Sequence, residues 1–445
     1  MKISLRFLYL LPVLGVIFKD RAFNEFVFTD EGSPVLAKFG MLLLGVALTC
    51  IVLYYRYMER LMKRWLWLTL AVIGALSLES YAGWQSWFVY PHVFGKLLVL
   101  LHIFGVYAFH RRFGLPPFDQ LMALVFFGLL ASLVIYHPDA LSVSAFLDND
   151  RGFGSTEAML LLLPTLYYLN QYLTRGGLLR LVLFFAGALL IVFLQHRSVW
   201  VSMGAALVLN IVLLVFGRVE GARLTPTRLL PMALLPLIGL ISGGLVVLSD
   251  PKISRKLERS VQDIMHPDKQ GTGSWRLQQF EAYEPFMLEY PVAGMRLDGF
   301  ELPVQFYTLA SDGGENEQVW EDGTGHHFHS FYVDRIFYFG LLGLLLTLLV
   351  PLVLLIRRLR HRVPLPPTTA TLIIYCLSSL VYSISYDWPL YMFGLWGLSL
   401  AAAAAPAWQA VRVPAPPPSL DLVPSPFQPF PVPSNVHSVS TAPRA

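Results

Sequence analysis

Apolar stretches of about 20 residues, the length a helix needs to cross a hydrocarbon core, recur along nearly all of the 445-residue chain. Backbone polar groups in lipid must be satisfied within the segment, so such stretches fold as helices. Twelve are expected, near 5 to 18, 35 to 55, 65 to 82, 90 to 109, 118 to 136, 155 to 173, 178 to 195, 198 to 217, 229 to 248, 333 to 356, 368 to 385 and 388 to 407. Ten or eleven remain alternatives, because the first stretch is short and the seventh and eighth nearly fuse at His196-Arg197. The chain is 14% charged, against about 25% for soluble domains, which excludes an ordinary globular protein. The expected fold class is an all-α integral membrane protein, with about 12 transmembrane helices and one large, partly helical loop outside the membrane.

Short loops rich in Lys and Arg stay cytoplasmic, and every second loop here is basic. Arg56, Arg60, Lys63 and Arg64 share one, Arg111 and Arg112 a second, Arg175 and Arg180 a third. Arg218, Arg223 and Arg228 mark the fourth, and Arg357, Arg358, Arg360 and Arg362 the fifth. The alternate loops hold scattered charges such as Lys19, Arg21, Arg151 and Arg197. Both termini are then expected in the cytoplasm and the long loop outside. Lys2 and Arg6 precede an apolar run without a small-residue cleavage site, so that run is taken as an uncleaved first helix.

The chain divides into helices one to nine over 1–248, an outer loop over 249–330 that the resemblance below places in the periplasm, helices ten to twelve over 331–410 and a tail over 411–445. From Pro414 onward the tail holds 10 of the 31 prolines and few large aliphatics, so a disordered cytoplasmic segment is expected, with a proline-rich ligand as the sharper alternative. Cys50 and Cys376 both fall inside apolar stretches, leaving no disulfide framework and no CxxC metal site.

From Ser249 to Ser330 the loop carries 14 Asp and Glu against 7 Lys and Arg. Nucleic acid needs a basic stripe to displace counterions, so it is excluded as a partner. A phosphorylated substrate must instead be met by individually placed arginines. Ser274 is positioned to cap a helix through Trp275, Leu277, Phe280 and Tyr283, with Arg276 in its first turn. Pro291 and Gly294 end that helix, and Gly313, Gly314, Gly323 and Gly325 mark a flexible acidic stretch.

Three features stand in a fixed order: Gly271-Thr-Gly-Ser-Trp-Arg276, then Tyr290-Pro291-Val-Ala-Gly294, then His329-Ser330 ahead of Gly340-Leu-Leu-Gly343. Together with His196-Arg197-Ser198 at an outer helix junction, this resembles the O-antigen ligase and polymerase superfamily of membrane glycosyltransferases over about residues 180 to 400. The resemblance implies transfer of a preassembled glycan from undecaprenyl diphosphate to an acceptor hydroxyl at the periplasmic face of the inner membrane. It further implies inversion at the anomeric carbon without a metal or other cofactor. In the ligase branch the acceptor is the lipid A core of lipopolysaccharide; a polymerase extending the lipid-linked glycan is the alternative, and a protein hydroxyl a third acceptor.

Arg197 and Arg276 are the expected diphosphate-binding residues, since a planar guanidinium donates paired hydrogen bonds and stays charged when partly desolvated. His329 is the expected catalytic base, because imidazole accepts a proton near neutral pH; His327 is its substitute. His196, Asp334, Arg335 and Lys96 are further candidate lining residues. The duller readings are an Arg197 or Lys96 that snorkels to the interface, an Arg276 paired with Glu281, interfacial anchoring by Asp334 and Arg335, and an Asp387 that caps a helix. His326, His327 and His329 are too close in sequence to converge readily on one metal ion. A secondary transporter and a noncatalytic scaffold are the readings from other classes; no internal repeat favours the first.

Overall fold

A computed structural model describes residues 6, 9–15, 34–148, 151–239, 241, 250–266, 271–302, 305–309, 315–319 and 328–404. The proline-rich tail, and with it the expectation of disorder, lies outside the described residues, as do His326 and His327.

The described chain is predominantly helical. It opens with α1 (Leu10–Gly15), α2 (Pro34–Tyr54) and α3 (Arg60–Trp84). Next come α4 (Pro91–Leu98), α5 (Leu100–Phe113), α6 (Phe118–Tyr136) and the short α7 (Val143–Asp148). The middle holds α8 (Ser155–Arg175), α9 (Leu178–Phe193), α10 (Arg197–Val215) and α11 (Pro226–Gly239). Two polar-region helices follow, α12 (Pro251–Met265) and α13 (Gly271–Glu289), then an antiparallel hairpin of β1 (Gln305–Leu309) and β2 (Glu315–Val319). The last three helices are α14 (Phe331–Arg360), α15 (Pro367–Tyr382) and α16 (Leu390–Ala403).

Six helices among the described residues are long and apolar enough to cross a membrane, and α9, α15 and α16 are shorter apolar helices. Burial sorts them into two layers. α5, α8, α15 and α16 are buried nearly all round, as central helices must be if they are apolar on every face. On α2, α3 and α10, by contrast, large aliphatics such as Val52, Leu68 and Val208 stand exposed, a surface that only lipid can cover at no cost.

The five basic loops gather at one end of this bundle. Arg112 lies over the Tyr57 ring, Arg175 approaches Asp119 at 4.0 Å, the Arg223 amide donates to Leu173 O at 3.1 Å, and Arg218 donates to His361 O at 2.9 Å. At the opposite end Phe331 N donates to Ser383 O, His196 meets Phe153 O and Lys256 donates to Leu147 O. The alternation of loop charge along the sequence is therefore a segregation in space.

Two elements differ from the expectation. Ser274 does not cap its helix, because α13 begins at Gly271; a capping residue must leave helical dihedrals, and here the glycines before it take them up. The tenth apolar stretch is not one straight helix either. α14 breaks at Gly340 (φ 60°), and the segment 291–296 is laid across the break. Phe337 O and Tyr338 O accept from Met295 N and Arg296 N, each at 2.8 Å, while Leu341 N and Leu342 N donate to Pro291 O and Val292 O at 2.9 and 3.1 Å. Backbone groups released by the kink are thus satisfied from outside the helix, as a low-dielectric setting demands. A Cβ on Gly294 would lie 2.5 Å from the Gly340 nitrogen, and one on Gly340 would overlap the Val292 carbonyl. Tyr290-Pro-Val-Ala-Gly294 and Gly340 are accordingly two halves of one crossing.

Candidate functional site

Just N-terminal to the kink, α14 carries Asp334 and Arg335, which are 1% and 2% exposed. Asp334 offers one carboxylate oxygen to Lys96 of α4 and the other to Arg335, so both cations share one carboxylate. Arg335 Nη2 reaches towards Asp387 Oδ1 at 3.8 Å. Lys96 also sits over the Tyr338 ring, and the Arg335 guanidinium over Phe331, which stacks on Trp388 at 4.3 Å. Two positive and two negative charges therefore close a neutral network. Removing any one of them would strand a buried charge, which is the costly event in such networks. Lys96 does not snorkel and Asp334 and Arg335 are not interfacial anchors: they meet one another in the interior. Asp387 accepts from Trp388 N at 2.8 Å in the turn that precedes α16. Desolvation by its neighbours pushes its carboxyl above the usual range, against the pull of Arg335.

Tyr386, next in the chain to Asp387, begins a second cluster of opposite character. Its ring stacks on Tyr382 at 5.1 Å, and Tyr382 Oη hydrogen-bonds Ser155 Oγ at 3.1 Å. Arg276 lies over Tyr386, 4.9 Å from the ring centroid, so it meets an aromatic face rather than the expected alternative Glu281. Tyr283, two turns further along α13 and on the same face, packs against Phe328 at 4.7 Å and Phe337 at 5.1 Å. That aromatic anchor fixes α13 on the foot of α14 and holds Arg276 over the turn.

Arg151, in the loop before α8, interacts electrostatically with both Tyr386 and Arg197. Its guanidinium pKa is pushed down, chiefly by burial, with Arg197 adding to the shift. Lys256 of α12 donates to Leu147 O at 3.3 Å, and its pKa is lowered first by burial and then by Arg151, Arg197 and Arg259, against the pull of Asp148. Arg151 and Lys256 thus both lie within the positive field of Arg197. Nε of Arg151 and Nε of Arg276 are buried donors without a hydrogen-bond partner among the described residues. Both expected arginines, Arg197 and Arg276, thus belong to one cluster, linked through Arg151 and Tyr386.

His196 lies between α9 and α10, outside both. Its Nε2 meets Phe153 O at 2.8 Å, tethering the loop that carries Arg151, and burial pushes the imidazole down to about 4. It therefore holds the cluster in place from below. His329 is exposed and directly precedes Ser330, whose side chain caps α14 and donates to Ser383 O at 3.3 Å. The base candidate consequently stands at the start of α14, where that helix is bonded to the turn bearing Tyr386 and Asp387. Arg151, Lys256 and Tyr386 were missed as site residues in the sequence. Arg151 looked like scatter in a weakly charged loop, and nothing local distinguishes Tyr386 from the other 19 tyrosines.

A helical bundle with lipid-facing aliphatics and a basic cluster at one end defines an integral membrane protein equipped to meet an anion at its surface. The family model for O-antigen ligase matches residues 182–348, bearing out the likeness to that superfamily. No curated protein matches the chain. The family match supports a ligase- or polymerase-type membrane glycosyltransferase of a bacterial membrane. Arg197, Arg276, His329, Asp334 and Arg335 fall within the matched stretch; Lys96, Arg151, Tyr386 and Asp387, which complete the two clusters, fall outside it.

Proposed function

We propose that the protein transfers a preassembled glycan from undecaprenyl diphosphate to an acceptor hydroxyl, with the end opposite the basic loops facing the periplasm and both termini in the cytoplasm. The observation that carries this reading is a linked set of cations at the end where His329 precedes α14: Arg276 over the Tyr386 ring, Arg151 interacting with Tyr386 and Arg197, and Lys256 with Arg151 and Arg197. The donor's diphosphate gains negative charge as the glycosidic bond to it breaks, and fixed cations aimed at that charge lower the barrier. Arg197 and Arg276 bind the diphosphate oxygens, Arg151 and Lys256 reinforce the field, and His329 takes the acceptor proton as the new carbon–oxygen bond forms on the opposite face of the sugar. No metal or cofactor enters this scheme.

The neutral Lys96–Asp334–Arg335–Asp387 network positions the turn from which Tyr386 presents to Arg276. The preferred acceptor is the lipid A core of lipopolysaccharide; the lipid-linked glycan itself is the polymerase alternative. Purified protein incubated with a lipid-linked glycan, separately with core lipid and with further repeat units, resolves the two by product size. A single block added to core lipid marks a ligase and a ladder on the lipid diphosphate a polymerase. Folded protein that transfers to neither acceptor contradicts the proposal.

A further inference from the structure

Away from both charge clusters, a cavity of about 450 Å³ lies between α3 and α14, within the usual size range of small-molecule sites. Trp65, Val72 and Ala75 form one wall, Phe339, Gly343 and Leu346 the other, and Glu79 and Arg296 stand among its lining residues as the only charged groups. Both walls belong to helices long and apolar enough to cross a membrane, and Leu68, Leu342 and Leu349 along the same lining are more than half exposed. The groove therefore opens sideways into hydrocarbon rather than into water.

Its dimensions and charge select an occupant. From Trp65 to Glu79 the helix rises about 21 Å, somewhat more than the roughly 15 Å depth of one leaflet's hydrocarbon. Glu79 and Arg296 are joined at 2.9 Å and both remain about one-third exposed, so the polar end of the groove presents one positive and one negative charge side by side. A polyprenyl diphosphate brings only negative charge, which Glu79 opposes. A zwitterionic headgroup with a phosphate and a free ammonium matches both charges, the phosphate towards Arg296 and the ammonium towards Glu79.

We infer that this groove is a binding site for a bilayer phospholipid with a phosphoethanolamine headgroup, one acyl chain lying between α3 and α14. Ala293 and Arg296, from the segment that crosses the kink at Gly340, line the same groove. An acyl chain seated there packs against that crossing and steadies the foot of α14, at a place separate from the glycan-transfer site.

The test uses the full chain, extracted from its membrane in mild detergent, with native mass spectrometry to identify retained lipid. Phosphatidylethanolamine retained at one copy is expected, with retention reduced at least about tenfold in Glu79→Gln, the loss of one charge-assisted contact. Ala75→Trp, which fills the groove, should abolish retention while leaving the protein monodisperse. As a second readout that needs no variant, phosphatidylethanolamine added to delipidated protein should raise its unfolding temperature more than phosphatidylglycerol or undecaprenyl diphosphate does. Retention of no lipid, preferential retention of an anionic lipid, or equal stabilisation by all three would overturn the inference, whether or not glycan transfer is observed.

Discussion

The two charge clusters at the end of the bundle opposite the basic loops meet in adjacent residues, Tyr386 and Asp387, yet they obey opposite rules. Around Asp387 each cation has a carboxylate within reach, the network sums to zero, and Lys96, Asp334 and Arg335 are buried. Around Tyr386 the cations outnumber their carboxylate partners, and Arg197 lowers the pKa of both Arg151 and Lys256. A closed network contributes position, because its partners are already present in the folded chain. An excess of one sign contributes affinity, because an arriving anion gains what the chain has left concentrated. The family-matched stretch supplies members of both, and each is completed by residues outside it.

The contrast breaks most readily at Asp334. Asp334→Ala leaves Lys96 and Arg335 buried together without their shared carboxylate, and a loss of about 3–5 kcal/mol is expected. Thermal unfolding in detergent, alongside the yield of inserted protein, measures it. A variant as stable as the wild type would dissolve the distinction between the clusters. Arg276→Gln should do the reverse, leaving stability close to that of the wild type and lowering glycan transfer by about 10²–10³-fold, the usual cost of removing one preorganised donor from developing charge.

His196 sharpens the comparison through pH. Its folded-state pKa is lowered to about 4 from an unfolded value near 6.5, so the neutral form is the one the fold stabilises. That contribution is complete above about pH 6.5, declines as the pH falls and is lost through about pH 4, a total of about 3 kcal/mol. Unfolding followed against pH should therefore be less steep between those limits in His196→Asn than in the wild type. Tyr386→Leu is expected to have the smallest effect. It removes the aromatic face under Arg276, worth about 1 kcal/mol, and should weaken donor binding about fivefold with little change in the rate at saturation.

The sequence was most legible where the controlling physics is local. Apolar length marked where helices form, although six of the described helices, against the twelve spans expected, are long and apolar enough to cross a membrane; loop charge marked which ends lie together, as the links from Arg112 to Tyr57 and from Arg218 to His361 bear out. Partners distant in sequence were less visible. Lys96 and Asp334 are separated by 238 positions, so each read alone as a lysine or aspartate placed awkwardly in an apolar stretch. Gly294 and Gly340 were readable as motif residues, but their reason for being glycine, a backbone crossing with no room for a Cβ, exists only once the two segments meet. Ser274 shows the converse failure, in which a sound local capping signal was overridden by the helix continuing through it. Arg151 had no local signal at all; its role comes from the tether of His196 to Phe153 and from its neighbours Arg197 and Tyr386.

The claim that the cluster about Tyr386 holds a lipid diphosphate is tested most directly by the affinity of undecaprenyl diphosphate for the purified protein. Wild type, Arg151→Gln, Arg276→Gln and Lys63→Gln should be measured side by side, the last carrying its substitution among the basic loops at the other end. Affinity reduced by about tenfold or more in the first two variants, and unchanged in Lys63→Gln, is the expected result. Equal affinity across all four proteins would contradict it.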